Sequence, residues 1–383
     1  MEKLEKEKTW KEDRHDGPPR GWDKNKEKKE GKHGRRDHHH KHGLSGEIPG
    51  ADPGTILSVR DLWVEYTSGT QLIKAVNGVS FDIKRGESLG LVGESGCGKS
   101  TIAKALLKIL PEISSRIRGE MWYEGVEMAA ASEEQMLKIR GEEISMIFQD
   151  PMTALNPVKR VIDQVSAVVR LHNPGMPKTK AERISIDMLK EVGIGEERVR
   201  DYPHQFSGGM QQRVEVAIGL SCKPKLLLAD EPTTALDVTI QAQVLDMMRT
   251  LMHEKNTALL LITHNLGIVA EMCDYVAVLY GGEIVEYGSK REVFKDPRHP
   301  YTIGLFGAIP DMHGQGERLQ PIEGVMPEPS DLPDGCKFHT RCPYATDECK
   351  SGTMPVVDLG GTHRCQCCRL DEVKAIREKE GKA

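Results

Sequence analysis

The chain has 383 residues, 38% of them hydrophobic, and a net charge of −5, enough for one large or two modest domains with buried cores. No uninterrupted apolar stretch approaches the roughly 20 residues that a membrane span requires, and the N-terminus carries no apolar core of the kind found in secretory signals. The expectation is a soluble intracellular chain.

The first segment, residues 1–46, is predicted to be disordered. It is Lys/Glu-rich, poor in aliphatics and broken by Gly17-Pro18-Pro19 and Gly31, a composition that cannot bury a core. Residues 1–42 hold 14 Lys+Arg against 10 Asp+Glu. Six of the fourteen histidines fall here, including His33, His38-His39-His40 and His42. They read as a Ni²⁺ or Zn²⁺ buffer, as a solvated tail, or as a purification-tag remnant. A basic tail could also touch anionic lipid, an idea the interleaved acids weaken.

Short apolar strands then alternate with helical patterns from Ile56 to about Phe148 and again from Pro224 to about Gly288, as in an α/β core. The strand Ser88 to Val92 runs into Gly93, Glu94, Ser95, Gly96, Cys97, Gly98, Lys99, Ser100 and Thr101, and Ile102 to Leu110 has helical spacing. This is a G-x-x-x-x-G-K-[ST] loop in the strand-to-helix context the motif needs. Its backbone N–H groups and the helix N-terminus make an anion cradle, Lys99 adds a cation for β- and γ-phosphates, and the Ser100 hydroxyl can ligate Mg²⁺. Asp150 to Cys222 is mostly helical in pattern, with Ile184, Met188 and Val192 on one face. Around it lie Gln149, the Phe206 to Arg213 stretch (FSGGMQQR) opening a helix Gly209 to Leu220, the strand Leu226 to Ala229 ending in Asp230-Glu231, Ala235-Leu236-Asp237, and His264 after the strand Ala258 to Thr263.

In this order the motifs resemble the nucleotide-binding subunits of ATP-binding-cassette (ABC) transporters, from about Ile56 to Gly288. The resemblance implies an ABC-type P-loop NTPase core with a helical subdomain at about 150–222. Gly93 to Thr101 resembles the Walker A loop and Gln149 the Q-loop glutamine. Ser207, Gly208, Gly209, Met210 and Gln211 resemble the signature, and Ala235 to Asp237 the D-loop. By the same likeness Asp230 is the Walker B carboxylate that holds Mg²⁺ with Ser100 and Gln149, Glu231 the general base, and His264 the switch histidine. Tyr66 is either the aromatic that stacks on adenine or a core strand tyrosine. Family likeness further implies that Ser207 acts in trans on ATP held by a second ABC ATPase subunit, identical or related. The other implied partners are two transmembrane permease subunits and, indirectly, an external solute-binding protein; nucleic acid is not among them. The implied place is peripheral, on the cytoplasmic face of the membrane.

After Gly288, the stretches Arg298-His299-Pro300-Tyr301-Thr302, Ala308-Ile309-Pro310-Asp311 and Gly335 to Ala345 (GCKFHTRCPYA) resemble the C-terminal extension, here 289–383, of D-type ATPases of oligopeptide/dipeptide importers. Six of nine cysteines lie in it. In a reducing cytosol that leaves free thiols or metal ligation. The likeness implies a [4Fe-4S] cluster on Cys336, Cys342, Cys349 and Cys367, with Cys365 and Cys368 open as alternatives for the last ligand. Cys97, Cys222 and Cys273 read as packing residues. No nucleotide motif lies in the extension, so ATP turnover is expected to depend little on it. Import of peptides is the implied function. Alternatives are import of oligosaccharides or another solute, and a soluble ABC ATPase with a redox-sensing cluster.

Overall fold

The computed structural model describes residues 46–234, 236–308 and 322–379. The charged His-rich tail to residue 45, Ala235 and Ile309-Pro310-Asp311 lie outside the described residues. Five short strands form the parallel part of an eight-stranded sheet. In spatial order they are Ile144–Ile147, Leu226–Asp230, Ala258–Thr263, Ser88–Val92 and Tyr275–Tyr280. Leu226–Asp230 and Ala258–Thr263 are buried from end to end, which is why they read as continuous apolar runs rather than alternating ones. A second, antiparallel sheet of four strands, led by Thr55–Ser68 and Gln71–Lys84, shares a core with the helix Lys99–Leu106 through Leu57, Val64, Val76, Ile102 and Leu106.

The expected helical region folds as Pro151–Ala154, Val161–Leu171, Lys178–Glu191 and Gly208–Leu220. Met188 and Val192 are buried. The last of these helices begins one residue before its expected start, because Ser207 already has extended N-cap geometry.

The C-terminal region is built into the same sheet. Glu283–Ser289 pairs antiparallel with Tyr275–Tyr280, then with Arg364–Gln366, which pairs with Val356–Asp358. The boundary expected at Gly288 therefore falls inside a strand. Packing extends this continuity: the Tyr280 ring meets Tyr301 at 4.6 Å and Phe338 at 5.1 Å between centroids, both edge-on, geometries that aromatic pairs favour. Among the described residues no helix is long and apolar enough to cross a membrane.

Candidate functional site

The phosphate loop lies where the central strand Ser88–Val92 turns into the helix Lys99–Leu106, whose first N–H groups have no partner within the helix. Gly98, the residue before that helix, has φ +104°, and a Cβ there would collide with the carbonyl of Ala75, so only glycine fits. Lys99 is buried, and its Nζ donates to the carbonyls of Gly93 (2.8 Å) and Glu94 (2.9 Å). This holds the ammonium on the concave side of the loop. Cys97 is buried beneath it, and burial raises its thiol pKa. Ser95 and Gly96 are exposed at the loop tip. Tyr66 borders the loop, its hydroxyl 3.5 Å from Thr101 Oγ1 and its ring partly buried on the core.

Two carboxylates face this loop from the end of Leu226–Asp230. Asp230 accepts a hydrogen bond from Ser100 Oγ at 2.8 Å. Burial raises its pKa, opposed by that hydroxyl and by Lys104. Glu231 leaves the strand at φ +48°, a left-handed conformation that costs a non-glycine residue about 1–3 kcal/mol and is found at functional sites. Its own N–H is held by the Ile262 carbonyl at 2.8 Å, and the bend turns its carboxylate toward three partners. Oε1 lies 3.1 Å from His264 Nδ1, while Oε2 accepts from Gln149 Nε2 (3.1 Å) and Thr234 Oγ1 (2.9 Å). Burial pushes the Glu231 pKa up, but the bonds from His264 and Thr234 outweigh it and the net value lies below the usual range. The side chain is therefore ionised at neutral pH, as a base requires.

Gln149, Glu231 and His264, spread over 116 positions of sequence, thus meet in one hydrogen-bonded group beside the loop, with Asp230 adjoining Glu231 in the chain and bonded to Ser100. Thr234 belongs to it too, although nothing in the sequence singled it out; a hydroxyl three residues after the carboxylate was the available signal. Glu215 is a second addition. Buried on the helix Gly208–Leu220, it accepts from the Phe148 N–H at 2.7 Å, and burial pushes it up to about 7, tying that helix to the backbone before Gln149.

The signature residues stand apart from this group. Ser207 and Gly208 are exposed, and the Ser207 hydroxyl makes no bond to its own helix. A Cβ on Gly209 would collide with Ile240. The Gln211 amide donates to the Pro203 and Phe206 carbonyls, 2.9 and 3.3 Å away, so it fixes the turn before the helix. Asp237 caps the helix Val238–Lys255, accepting from the N–H groups of Thr239 and Ile240.

At the far side of Tyr280, one cavity is lined by Cys336, Cys342, Cys349, Cys367 and Cys368. Cys365 is buried in its strand, opposite Glu286, and does not line it. Burial pushes the Cys336 thiol up to about 12 and Cys342 to about 11, and the neighbouring thiols add to both shifts. Cys349 and Cys368 sulfurs are 3.8 Å apart. Among the described residues no three His, Cys, Asp or Glu side chains are close enough to share a single metal ion.

Removing the Lys99 ammonium is expected to weaken nucleotide binding and turnover together, each by roughly tenfold or more, since it acts on phosphates in ground and transition states alike. Equilibrium binding and steady-state ATPase of Lys99→Ala test this, and unchanged affinity would remove the loop from the site.

Known proteins match this arrangement. A family profile described as "ABC transporter" matches residues 76–234, and one described as "Oligopeptide/dipeptide transporter, C-terminal region" matches residues 285–349. The chain is 45% identical over 320 residues to the dipeptide transport ATP-binding protein DppD of Bacillus subtilis, covering 83% of this chain and 95% of that protein. It is 48% identical over 298 residues to the oligopeptide transport ATP-binding protein OppD of Escherichia coli, covering 77% and 88%. Among solved structures it is similar to a dimeric ATP-binding cassette in a post-hydrolysis state with ADP and Pi (TM-score 0.56, 25% identity, 61% of this chain and 98% of that one). A Clostridium perfringens cassette, cbiO1, matches with TM-score 0.55 and 29% identity over 66% and 95% of the two chains.

Proposed function

This chain belongs to the ATP-binding subunits of peptide ABC transporters, and from that membership we propose that it binds and hydrolyses ATP to power peptide import by a membrane complex, from the cytoplasmic face. The observation that carries the chemistry is the convergence of Gln149, Thr234 and His264 on the ionised Glu231, beside a phosphate loop with a buried lysine. Hydrolysis asks a protein mainly to position a water and to neutralise charge, because the transferred phosphoryl passes through a loose transition state. Glu231 orients and deprotonates that water. Gln149 and His264 hold the carboxylate from both of its oxygens, and Lys99 offsets the charge on the phosphates. Ser100 and Asp230 are an oxygen donor pair suited to Mg²⁺, with Gln149 held on the following Glu231; the ion would supply charge neutralisation on the phosphates. Tyr66 supplies a surface for the base.

Ser207 has its hydroxyl free of its own helix, and the chain carries one copy of the signature, which supports action of Ser207 on nucleotide held by a second subunit, as does the dimeric state of the similar solved cassette. Dimerisation is expected to require Mg-ATP and to be strongest in Glu231→Gln, where bound nucleotide persists. Light scattering with and without Mg-ATP decides. Permanent monomers under all conditions would mean that a different cassette subunit completes the site.

We propose that a [4Fe-4S] cluster, which takes one thiolate per iron, is held by Cys336, Cys342, Cys349 and either Cys367 or Cys368, which line one cavity. Beside the thiols, the buried His299 accepts the Tyr301 N–H at Nδ1, leaving its Nε2 without a partner on the cavity wall; a donor of that kind suits cluster sulfur.

Reconstitution with its permease subunits, second cassette and solute-binding protein tests the transport assignment. ATP-driven accumulation of labelled peptide is expected in proteoliposomes. Accumulation of an oligosaccharide instead, with peptide excluded, would transfer the function to the other solute class.

A further inference from the structure

The phosphate loop is gripped from the C-terminal region at its second residue. Arg341 lies 247 positions away in sequence, yet its Nη1 donates to both oxygens of Glu94, at 3.1 and 3.0 Å. Only 6% of the Arg341 side chain is exposed. Its remaining donors are placed as well: Nε bonds the Glu323 carbonyl at 2.9 Å, Nη2 reaches the Ile322 carbonyl at 3.4 Å, and the guanidinium lies over the Tyr280 and Phe338 rings. A side chain held at so many points loses little further freedom in fixing Glu94. The backbone of Glu94 is held independently, its N–H donating to Tyr301 Oη at 2.9 Å. Met326 lies on the third side, where a Cβ added at Gly96 of the loop tip would come to 3.3 Å from its methyl. Because Glu94 also presents its carbonyl to Lys99 Nζ, whatever fixes Glu94 fixes the lysine's socket.

We propose that Arg341 and Tyr301 are positioning residues of the nucleotide site, which set the phosphate loop through Glu94 and so make ATP affinity depend on the C-terminal region. The dependence falls on ATP affinity, through the contacts to Glu94, and leaves turnover at saturating ATP little changed, as expected from the sequence. The proposal rests on the reading of Gly93 to Thr101 as the phosphate cradle. The neighbours of Arg341 and Tyr301 give the grip its input: Cys342 follows Arg341, and His299 on the cysteine cavity stands two residues before Tyr301.

The test measures ATP affinity, KM, kcat and thermal unfolding for Arg341→Met, Arg341→Lys, Tyr301→Phe, Glu94→Gln and the double variant Arg341→Met/Glu94→Gln. A preset loop acts on bound substrate and transition state alike, so affinity and KM should worsen about fivefold in Arg341→Met, within the usual range of site coupling. The value of kcat should stay within about twofold, and Arg341→Lys should recover part of the loss. In the Glu94→Gln background, Arg341→Met should add little, because both remove one interaction. Wild-type affinity in a folded Arg341→Met, or losses that simply add in the double variant, would overturn the proposal. Should Arg341→Met fail to fold, Glu94→Gln breaks the same pair from the exposed side, and wild-type affinity there is equally decisive. Lys99→Ala runs alongside: if it binds ATP normally the phosphate-cradle reading fails, whereas a Lys99 effect without an Arg341 effect leaves that reading intact and removes only the grip.

Discussion

Glu231→Gln is expected to lower steady-state ATP turnover by roughly 10²–10⁴-fold, the usual contribution of a positioned base, while ATP affinity stays near the wild-type value. The amide keeps the shape of the side chain and an oxygen that can accept from Thr234 or Gln149, so the group around it need not collapse. It loses the negative charge that takes the proton and holds His264. The loop residues that grip phosphate, Lys99 at the Gly93 and Glu94 carbonyls and Ser100 at Asp230, are untouched. Because the carboxyl is held below its usual range, it stays ionised as pH falls to the ordinary carboxylate value of about 4.3, so acid loss of activity above that pH must come from another group. Single-turnover hydrolysis with equilibrium ATP binding separates the two effects. Wild-type turnover in the variant would end the general-base assignment, and a parallel loss of affinity would show that Glu231 shapes the cradle.

The strands that carry the site were legible because they are buried on both faces and short: Ser88–Val92, Leu226–Asp230 and Ala258–Thr263 read as apolar runs ending at Gly93, Asp230-Glu231 and His264. A motif at a strand end is a motif at the edge of a parallel sheet, where such sites form. Local pattern could not show how these ends face one another. The left-handed bend at Glu231 leaves no mark on a sequence that reads Asp-Glu-Pro, and Thr234 gains its role only after that bend. Arg341 was illegible for a different reason. A basic residue between Thr340 and Cys342 has no period or spacing that points to a partner 247 positions earlier; only the packing of Phe338 on Tyr280 and Tyr301 brings it there. The cysteines lie between these cases. The family likeness pointed to Cys367 with Cys365 and Cys368 as alternatives, and the strand Arg364–Gln366 separates them by burying Cys365 against the sheet while Cys367 and Cys368 follow its end on the cavity wall.

That cavity carries the second large effect. Protein purified without oxygen is expected to be brown, to absorb broadly near about 400 nm, and to contain about four iron and four labile sulfide per chain; colourless protein containing zinc would remove the cluster assignment. Cys342→Ser should lose most of the iron. Thiols pushed up to about 12 and 11 at Cys336 and Cys342 stay protonated at neutral pH unless a metal replaces the proton, so ligation and local folding are coupled. The residues between Cys336 and Cys349 bury few apolar side chains besides Phe338, so the proposed cluster would be the main tie among them. Loss of iron should therefore expose this loop to protease while Leu226–Asp230 and Ala258–Thr263 stay protected. Since Arg341 stands between Phe338 and Cys342, the same loosening should reach Glu94 and weaken ATP binding by about the amount seen in Arg341→Met, and by no more in the protein carrying both changes. An iron-free Cys342→Ser that binds ATP as tightly as wild type would separate the cluster from the phosphate loop. Comparison of Cys365→Ser, Cys367→Ser and Cys368→Ser assigns the fourth ligand: iron should survive loss of Cys365, whose side chain the sheet buries, and fail with one of the other two.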